Sequence, residues 1–286
     1  MKGLIVVNAY AQTTETRQVV RLREELSRLG IPTDTVRNDK FFARVGCEYA
    51  HRLSGYDFCI YLDKDKYASR VLEKHMRLFN PAAAIENCDD KMITHILLSN
   101  SRIPMPQTIA GLLCYDKTAE VSDSAVDNVI KSLGLPVVVK QSYGSMGGGV
   151  FKADTRRHLK DLMEKFKCEP HLFQKYIASS HGRDLRVIVV GGKVLGGIER
   201  RSDCDFRSNI GLGGSATMAE VPIEVQEYAV KAAKILGLDY CGIDFLYGDP
   251  FLLCEVNSNA FFDAFEQATN INVAGAYAQH IINVLH

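Results

Sequence analysis

The first hydrophobic pattern along the chain is a short apolar run, Leu4 to Ala9, followed by the polar stretch AQTTET and then by Val19, Leu22, Leu26 and Leu29 at helical spacing up to Gly30. That order predicts a buried strand, a loop and an amphipathic helix over Thr16 to Leu29 that the glycine ends. Ile31 to Val36 and Asp57 to Leu62 repeat the strand pattern, and Tyr67 to Phe79 reads as helical. Such alternation predicts a small parallel sheet of about 80 residues. Its first turn has neither G-x-G-x-x-G nor a P-loop, so no cofactor is placed there. Asn80-Pro81 marks a boundary. Beyond it, Asn87 is placed to cap a helix with Met92, Ile93, Ile96 and Leu97 as apolar positions, ending near IPMPQT. Gly111 to Asp123 reads as loop and Ala125 to Leu133 as helix.

The middle of the chain changes rhythm. A β-branched run from Leu135 ends in Lys140, a loop carries Ser142, Gly144, Ser145, Gly147, Gly148 and Gly149, and a new strand starts at Val150. A glycine-rich turn between antiparallel strands is either a flexible hairpin tip or a flap whose backbone N–H groups lie over phosphates. Thr155 to Phe166 is expected as helix and His171 to Ile177 as strand. Two further strands should meet at Gly191-Gly192, with Arg183, Asp184, Arg186, Arg200 and Arg201 at their outer ends. Singly these are ordinary solvated charges. With Arg207 and Asn209 downstream they make a cluster suited to phosphate and carboxylate oxygens. Ile223 to Leu236 is an amphipathic helix with Val225, Tyr228, Ala229, Ala232 and Ile235 inward, and Ile271 to Leu285 a last helix.

Between these helices lies CGIDFLYGDPFLLCEVNSN, Cys241 to Asn259, which reads as a hairpin turning at Tyr247 to Pro250. Side chains alternate across a strand, so Glu255 and Asn257 share a face, and an antiparallel return can bring Asp244 to it. These are either solvated hairpin ends or hard-oxygen ligands of the kind Mg²⁺ takes when phosphates hold it too.

Composition narrows the field by exclusion. Lys+Arg and Asp+Glu both number 34 in 286 residues, which gives no basic field for nucleic acid. No apolar stretch reaches the ~20 residues that span a bilayer, and MKGLIVVNAY reads as a strand and not as a signal peptide. The eight cysteines form no C-x-x-C pair, so reduced thiols and a cytoplasmic location are expected.

Five segments, NCDDKMITHILLSNSRIPMPQT, VVVKQSYGSMGGGVF, QKYIASSHGRDLRVIVVGGKV, IERRSDCDFRSNIGLGG and CGIDFL with CEVNSN, resemble in order and spacing the RimK-type carboxylate–amine ligases of the ATP-grasp superfamily. The likeness covers about Asn87 to Asn272, and it implies an α/β chain with the ATP-grasp fold of α+β lobes behind a small N-terminal parallel α/β domain. The implied units are 1–82, a small lobe with the flap over 83–178, and a large lobe with the Mg²⁺ site over 179–286.

By position, the resemblance implies that Lys91 and Lys140 hold ATP phosphates under the flap Ser142 to Gly149, and that Gln174, Lys175, Tyr176 and Ile177 form the hinge that meets adenine. Asp184 lies near the ribose in this scheme, Arg186, Arg200, Arg207 and Asn209 engage the transferred phosphoryl and the substrate carboxylate, and Asp244, Glu255 and Asn257 hold two Mg²⁺ ions, with Mn²⁺ as substitute. The implied activity joins a carboxylate to an amine through an acyl phosphate, releasing ADP and phosphate. It could add an amino acid such as glutamate to a small molecule, peptide or carrier protein. An ATP-grasp phosphotransferase and a catalytically silent nucleotide-binding regulator are the alternatives. Nucleic acid and membrane are not expected partners, whereas a homo-oligomer is compatible with the family. One departure stands out: after FRSN the chain has Ile210-Gly211-Leu212, where ligases that glutamylate a ribosomal protein tail typically carry His-Arg. Asp244→Ala and Glu255→Ala are both expected to abolish turnover with little loss of stability.

Overall fold

The computed structural model describes residues 1–40, 53, 55–144, 147–209, 211 and 213–286; Ser145, Ile210 and Leu212 lie outside that set. The chain starts with β1 (Gly3–Val7), α1 (Arg17–Arg28), β2 (Thr33–Arg37), β3 (Phe58–Leu62), α2 (Lys66–Glu73) and β4 (Arg77–Phe79). The strands form a parallel sheet in the order β2-β1-β3-β4. Thr16 caps α1 by accepting from the Val19 N–H, and Val19, Leu22 and Leu26 are its buried stripe, as the spacing predicts, whereas Leu29, expected in that stripe, is the exposed C-cap residue. The segment expected as one helix to Phe79 instead stops at Glu73 and turns into β4. Three residues are too few to show a period of two against a helical background.

Next come α3 (Ala82–Asp89) and α4 (Lys91–Leu98), two helices where one was expected. The cap is not Asn87, which lies inside α3, but Asp90, whose carboxylate accepts from the N–H groups of Met92 and Ile93 at 2.9 and 3.1 Å. The expected face of α4 is also reversed: Ile93, Ile96 and Leu97 are exposed, while Lys91, Thr94, His95 and Leu98 are buried. Polar residues on the inward side of a helix are a sign that the buried face serves a site.

The second sheet holds β5 (Thr108–Ala110), β6 (Val137–Gln141), β7 (Val150–Ala153) and β8 (His171–Lys175), antiparallel in the order β5-β8-β6-β7. Helices α5 (Asp123–Leu133) and α6 (Arg156–Phe166) pack on it through Val126, Val129, Leu159, Met163 and Phe166. The glycine loop therefore joins antiparallel neighbours β6 and β7, the strand-loop-strand form expected.

The third sheet is built from β9 (Arg183–Val190), β10 (Lys193–Arg201), β11 (Ser215–Ala219), β12 (Tyr240–Leu246) and β13 (Leu252–Asn257), in the order β11-β10-β9-β12-β13. Helix α7 (Ile223–Leu236) covers one face; Ile235, expected inward, is exposed, and Ala233 and Leu236 are buried instead. Leu185, Val187 and Val189 face α7 together with Cys88 and Leu98 from α3 and α4. Ile188 and Val190 face the other way, onto α8 (Asp263–Thr269), α9 (Val273–Leu285) and α1. The alternation is that of a strand buried on both faces. Continued toward the start of β9, the α9-facing side passes from Val190 and Ile188 to Arg186 and Asp184, where the apolar face ends in charge.

Candidate active site

Register builds the centre. Asp184 pairs with Arg200 across β9 and β10, Arg186 with Asp244 across β9 and β12, and Asp244 with Glu255 across β12 and β13. Directly opposed residues share a face, and Asn257, two residues beyond Glu255, shares it too. The guanidinium of Arg186 donates to both oxygens of Asp244, Nε to Oδ1 at 2.7 Å and Nη2 to Oδ2 at 2.8 Å. Arg200 lies between the two aspartates: Nε donates to Asp184 Oδ1 at 2.8 Å, and Nη2 reaches Asp184 Oδ2 at 2.5 Å and Asp244 Oδ2 at 2.9 Å. Burial works against the charge on Asp244, but Arg186 and Arg200 outweigh it and hold the carboxyl below its ordinary value. Desolvation likewise opposes the charge on Arg200, and Asp244 and Asp184 overcome it.

Asp184, expected near a ribose, is committed elsewhere. It is buried, and beside Arg200 its Oδ2 accepts from the Ser208 hydroxyl at 2.5 Å. Its oxygens hold Arg200 in place. Asp244 is nearly as occupied, since Asn257 Nδ2 also donates to its Oδ2 at 3.4 Å. Three of its four donors fall on Oδ2 and only Arg186 Nε on Oδ1; each carboxylate oxygen has about two lone-pair positions, so one remains on Oδ1. Glu255 is more open, with Lys91 Nζ 3.6 Å from Oε1. No group of three His, Cys, Asp or Glu residues forms a metal cage among the described residues. One free lone pair of Asp244, the Glu255 carboxylate and the Asn257 amide oxygen on one face nevertheless fit Mg²⁺, which takes few protein ligands and shares phosphate oxygens and water.

Cations come to this set from other elements. Lys140, at the end of β6, is buried and donates to Cys254 Sγ on β13 at 3.3 Å. Lys91 Nζ donates to the Gly144 carbonyl at 2.9 Å, and Arg207 Nη1 to the Gly147 carbonyl at 2.5 Å, so both flanks of the flap rest on cations through neutral acceptors. Arg207 is also paired with Asp205 at 2.7 Å. Ser142 is buried at the base of the flap, its carbonyl taken by the Lys91 N–H, whereas Gly148 is exposed. Asn209 lies against the flap, its Oδ1 3.0 Å from where a Cβ on Gly147 would stand. The expected hinge leaves β8 at Lys175, whose N–H bonds to the Gln107 carbonyl; the Tyr176 hydroxyl meets His181 Nδ1 at 2.5 Å, and Ile177 leads into a turn pinned to Tyr247 through Ser179.

Two neighbours of this centre, His95 and Cys254, went unnoticed in the sequence, and both meet the expected hinge residue Gln174. Gln174 is buried, its Nε2 donating to Thr108 Oγ1 at 3.0 Å and meeting His95 Nε2 at 3.3 Å, and Cys254 Sγ lies 3.8 Å from its Oε1. Burial, reinforced by Lys140, pushes His95 down to about 4, so it is a neutral ring. Spacing could have found it: His95 is one helical turn from Lys91.

The RimK-like ATP-grasp domain model matches residues 88–281. The chain belongs to the RimK-like ATP-grasp family. It is 39% identical over 230 residues to human N-acetylaspartylglutamate synthase A, covering 78% of this chain and 57% of that protein. It is 40% identical over 230 residues to β-citrylglutamate synthase B of Danio rerio, with 78% and 55% covered. It thus spans little more than half the length of these curated relatives. The ATP-grasp fold itself is seen in the ligase PsnB, solved with minimal precursor, Mg and ADP, which superposes with a TM-score of 0.72 at 18% identity over 99% of this chain and 97% of that one.

Proposed function

We propose that this ATP-grasp chain is an ATP- and Mg²⁺-dependent ligase that joins a carboxylate to the amine of an amino acid, glutamate being the first candidate because the relatives' names contain it. The observation that carries the proposal is the register-built set Asp184, Arg200, Asp244 and Arg186 at the polar end of an otherwise apolar face, with Lys91 and Lys140 opposite. Phosphoryl transfer needs positioned charge and excluded water more than a protein nucleophile.

In this reading Lys91, Lys140 and Arg207 take the phosphates, with Ser142, Gly144, Gly147 and Gly148 of the flap above them. Two of these cations now bind flap carbonyls, weaker partners that phosphate oxygens displace. Gln174, Lys175, Tyr176 and Ile177 line the base, and Asp184 acts through Arg200. Asp244, Glu255 and Asn257 would hold Mg²⁺, as two ions or with Mn²⁺ in its place, and the metal supplies neutralisation of phosphate charge when bound. Arg186, Arg200 and Asn209 face the donor carboxylate. A carboxylate oxygen attacks the γ-phosphorus and ADP leaves; the amine then attacks the acyl carbon, phosphate leaves and the amine gives up a proton. The donor is a small molecule, a peptide or a carrier protein in the cytoplasm. A homo-oligomer is part of the same reading.

Purified protein with ATP, Mg²⁺, a donor pool and hydroxylamine should yield a hydroxamate and ADP. Release of AMP and pyrophosphate, or ADP without hydroxamate, overturns the acyl-phosphate route, the latter in favour of transfer to a hydroxyl.

A further inference from the structure

The Gln174 amide is held by groups whose own hydrogen bonds leave no choice of direction. The Thr108 hydroxyl donates its single hydrogen to the Pro106 carbonyl at 2.8 Å, so toward Gln174 it can only accept, from Nε2 at 3.0 Å. That fixes which end of the amide is nitrogen. The other hydrogen on Nε2 goes to His95 Nε2 at 3.3 Å, which must then carry a lone pair and leave the ring's hydrogen on Nδ1. His95 is buried, and the Cys254 backbone lies near enough to act on the ring, yet Nδ1 has no hydrogen-bond partner. A buried N–H left unpaired is costly, and native chains keep few of them. An apolar residue would fill the place at no such cost, and a local rule broken inside a packed face is a mark of function.

The oxygen end is left open. Lys140 Nζ has no acceptor site, so Cys254 Sγ accepts from it at 3.3 Å and keeps the thiol hydrogen for Gln174 Oε1, 3.8 Å away. An S–H is a weak donor, and among the described residues that contact is all that Oε1 has. Gln174 stands opposite Val138 in the register of β8 and β6, and so shares a face with Lys140, the face turned to Cys254 of β13. Oε1 thus lies on the site side of the sheet, one residue before the chain leaves β8 at Lys175.

We propose that Thr108 and His95 are positioning residues that lock the Gln174 amide in one orientation, so that the chain sorts purine nucleotides by the group at C6, taking a 6-amino base and refusing a 6-oxo one. The proposal rests on the ligase reading, which brings adenine to the hinge, and goes beyond it in naming what fixes how the base is read. Oε1 accepts from a 6-amino group. Against a 6-oxo group it sets acceptor against acceptor, and both stay unpaired. A free amide turns about its Cγ–Cδ bond and offers Nε2 to the 6-oxo group instead, so without the lock the preference fades.

The test is calorimetric titration of the full chain with Mg²⁺ and either ADP or inosine diphosphate, whose bases differ at C6 and in the proton on N1. Wild type should bind ADP about 100-fold more tightly. The double variant Thr108→Val, His95→Phe removes both acceptors, and the ratio should fall about tenfold or more, chiefly because inosine diphosphate binds better. A disturbance of packing alone weakens both diphosphates and leaves the ratio where it was. Thr108→Val by itself, at a half-buried position on the edge strand β5, should lower the ratio at least about threefold, and it serves where the double variant does not fold. An unchanged ratio in either folded variant, or equal affinity of wild type for the two diphosphates, overturns the lock and leaves the ligase reading standing. A wild type that binds neither overturns both, and selective ADP binding without hydroxamate formation overturns the ligase reading alone.

Discussion

Asp244 and Glu255 sit opposite each other on one hairpin, yet their surroundings predict different losses. Asp244 is buried between two guanidinium groups. Removing one member of a buried ion network leaves the others uncompensated and typically costs about 3–5 kcal/mol. Asp244→Ala should therefore lower the urea midpoint of the nucleotide-free chain as well as abolish turnover, against the expectation that both alanine variants stay stable. Glu255 keeps solvent access, with its side chain 29% exposed. Glu255→Ala should abolish turnover with a stability change within about 0.5 kcal/mol. His95 makes a pH-dependent contribution. Its folded value of about 4 lies below the ordinary 6.5, so the unfolded chain binds the extra proton first and stability falls as pH drops through that window. Between pH 7 and pH 5 wild type should lose about 2 kcal/mol more than His95→Gln, read from urea midpoints at each pH. Equal losses would show a ring already charged.

At the scale of elements, what periodicity and turn chemistry could signal was legible: α1 with its Thr16 cap, the β6–β7 flap, the β9–β10 hairpin at Gly191-Gly192 and the β12–β13 hairpin. The three-residue β4 and the half-exposed edge strand β11 carry too little pattern. Helix α4 misled because its inward face is polar and its outward face apolar. At the site, residue types and faces followed from alternation, but pairing did not. Nothing in the sequence says that the oxygens of Asp184 belong to Arg200 and Ser208, since that depends on the β9–β10 register and on the path of the segment after β10, 16 and 24 residues further along the chain. Gly242 shows the same dependence on packing. On β12 it makes room for Ala260, and Gly242→Ala would overlap that residue and press toward Arg186. It should cost about 1–3 kcal/mol and reduce turnover by about 100-fold through misplacement of the arginine. Thermal melts beside ADP-release rates check both, and unchanged turnover would place Arg186 outside the reacting geometry.

For the whole molecule, the question is how the N-terminal sheet and the sheet carrying the acids are held as one body. Part of the answer is apolar, with Leu22 and Leu26 of α1 in one core with Tyr277 and Ile281 of α9. Part is a single amide. Asn80 is buried where the first sheet ends; its Nδ2 donates to the carbonyls of Tyr240 and Ser258, each at 2.7 Å, and its Oδ1 accepts from the N–H groups of Asp239 and Tyr240 at 2.6 and 2.8 Å. One side chain thus satisfies four backbone groups at the start of β12 and just past the end of β13, the two strands that carry the acids. Asn80→Ala leaves those groups unpaired at about 1–3 kcal/mol each before water or relaxation offsets any of it. A net loss of about 3–5 kcal/mol is expected, in the range reserved for broken buried networks. Asn80→Asp separates hydrogen bonding from packing. It keeps an acceptor for the two N–H groups but turns a second oxygen toward two carbonyls, so it should destabilise at least as much as alanine despite its matching shape. The chain has no tryptophan, so far-ultraviolet circular dichroism and tyrosine emission are the probes for urea unfolding. Coincident transitions with both midpoints lowered fit one body clamped by Asn80. A loss under about 1 kcal/mol in both variants would show that water replaces the amide and that the α1–α9 core alone joins the two parts.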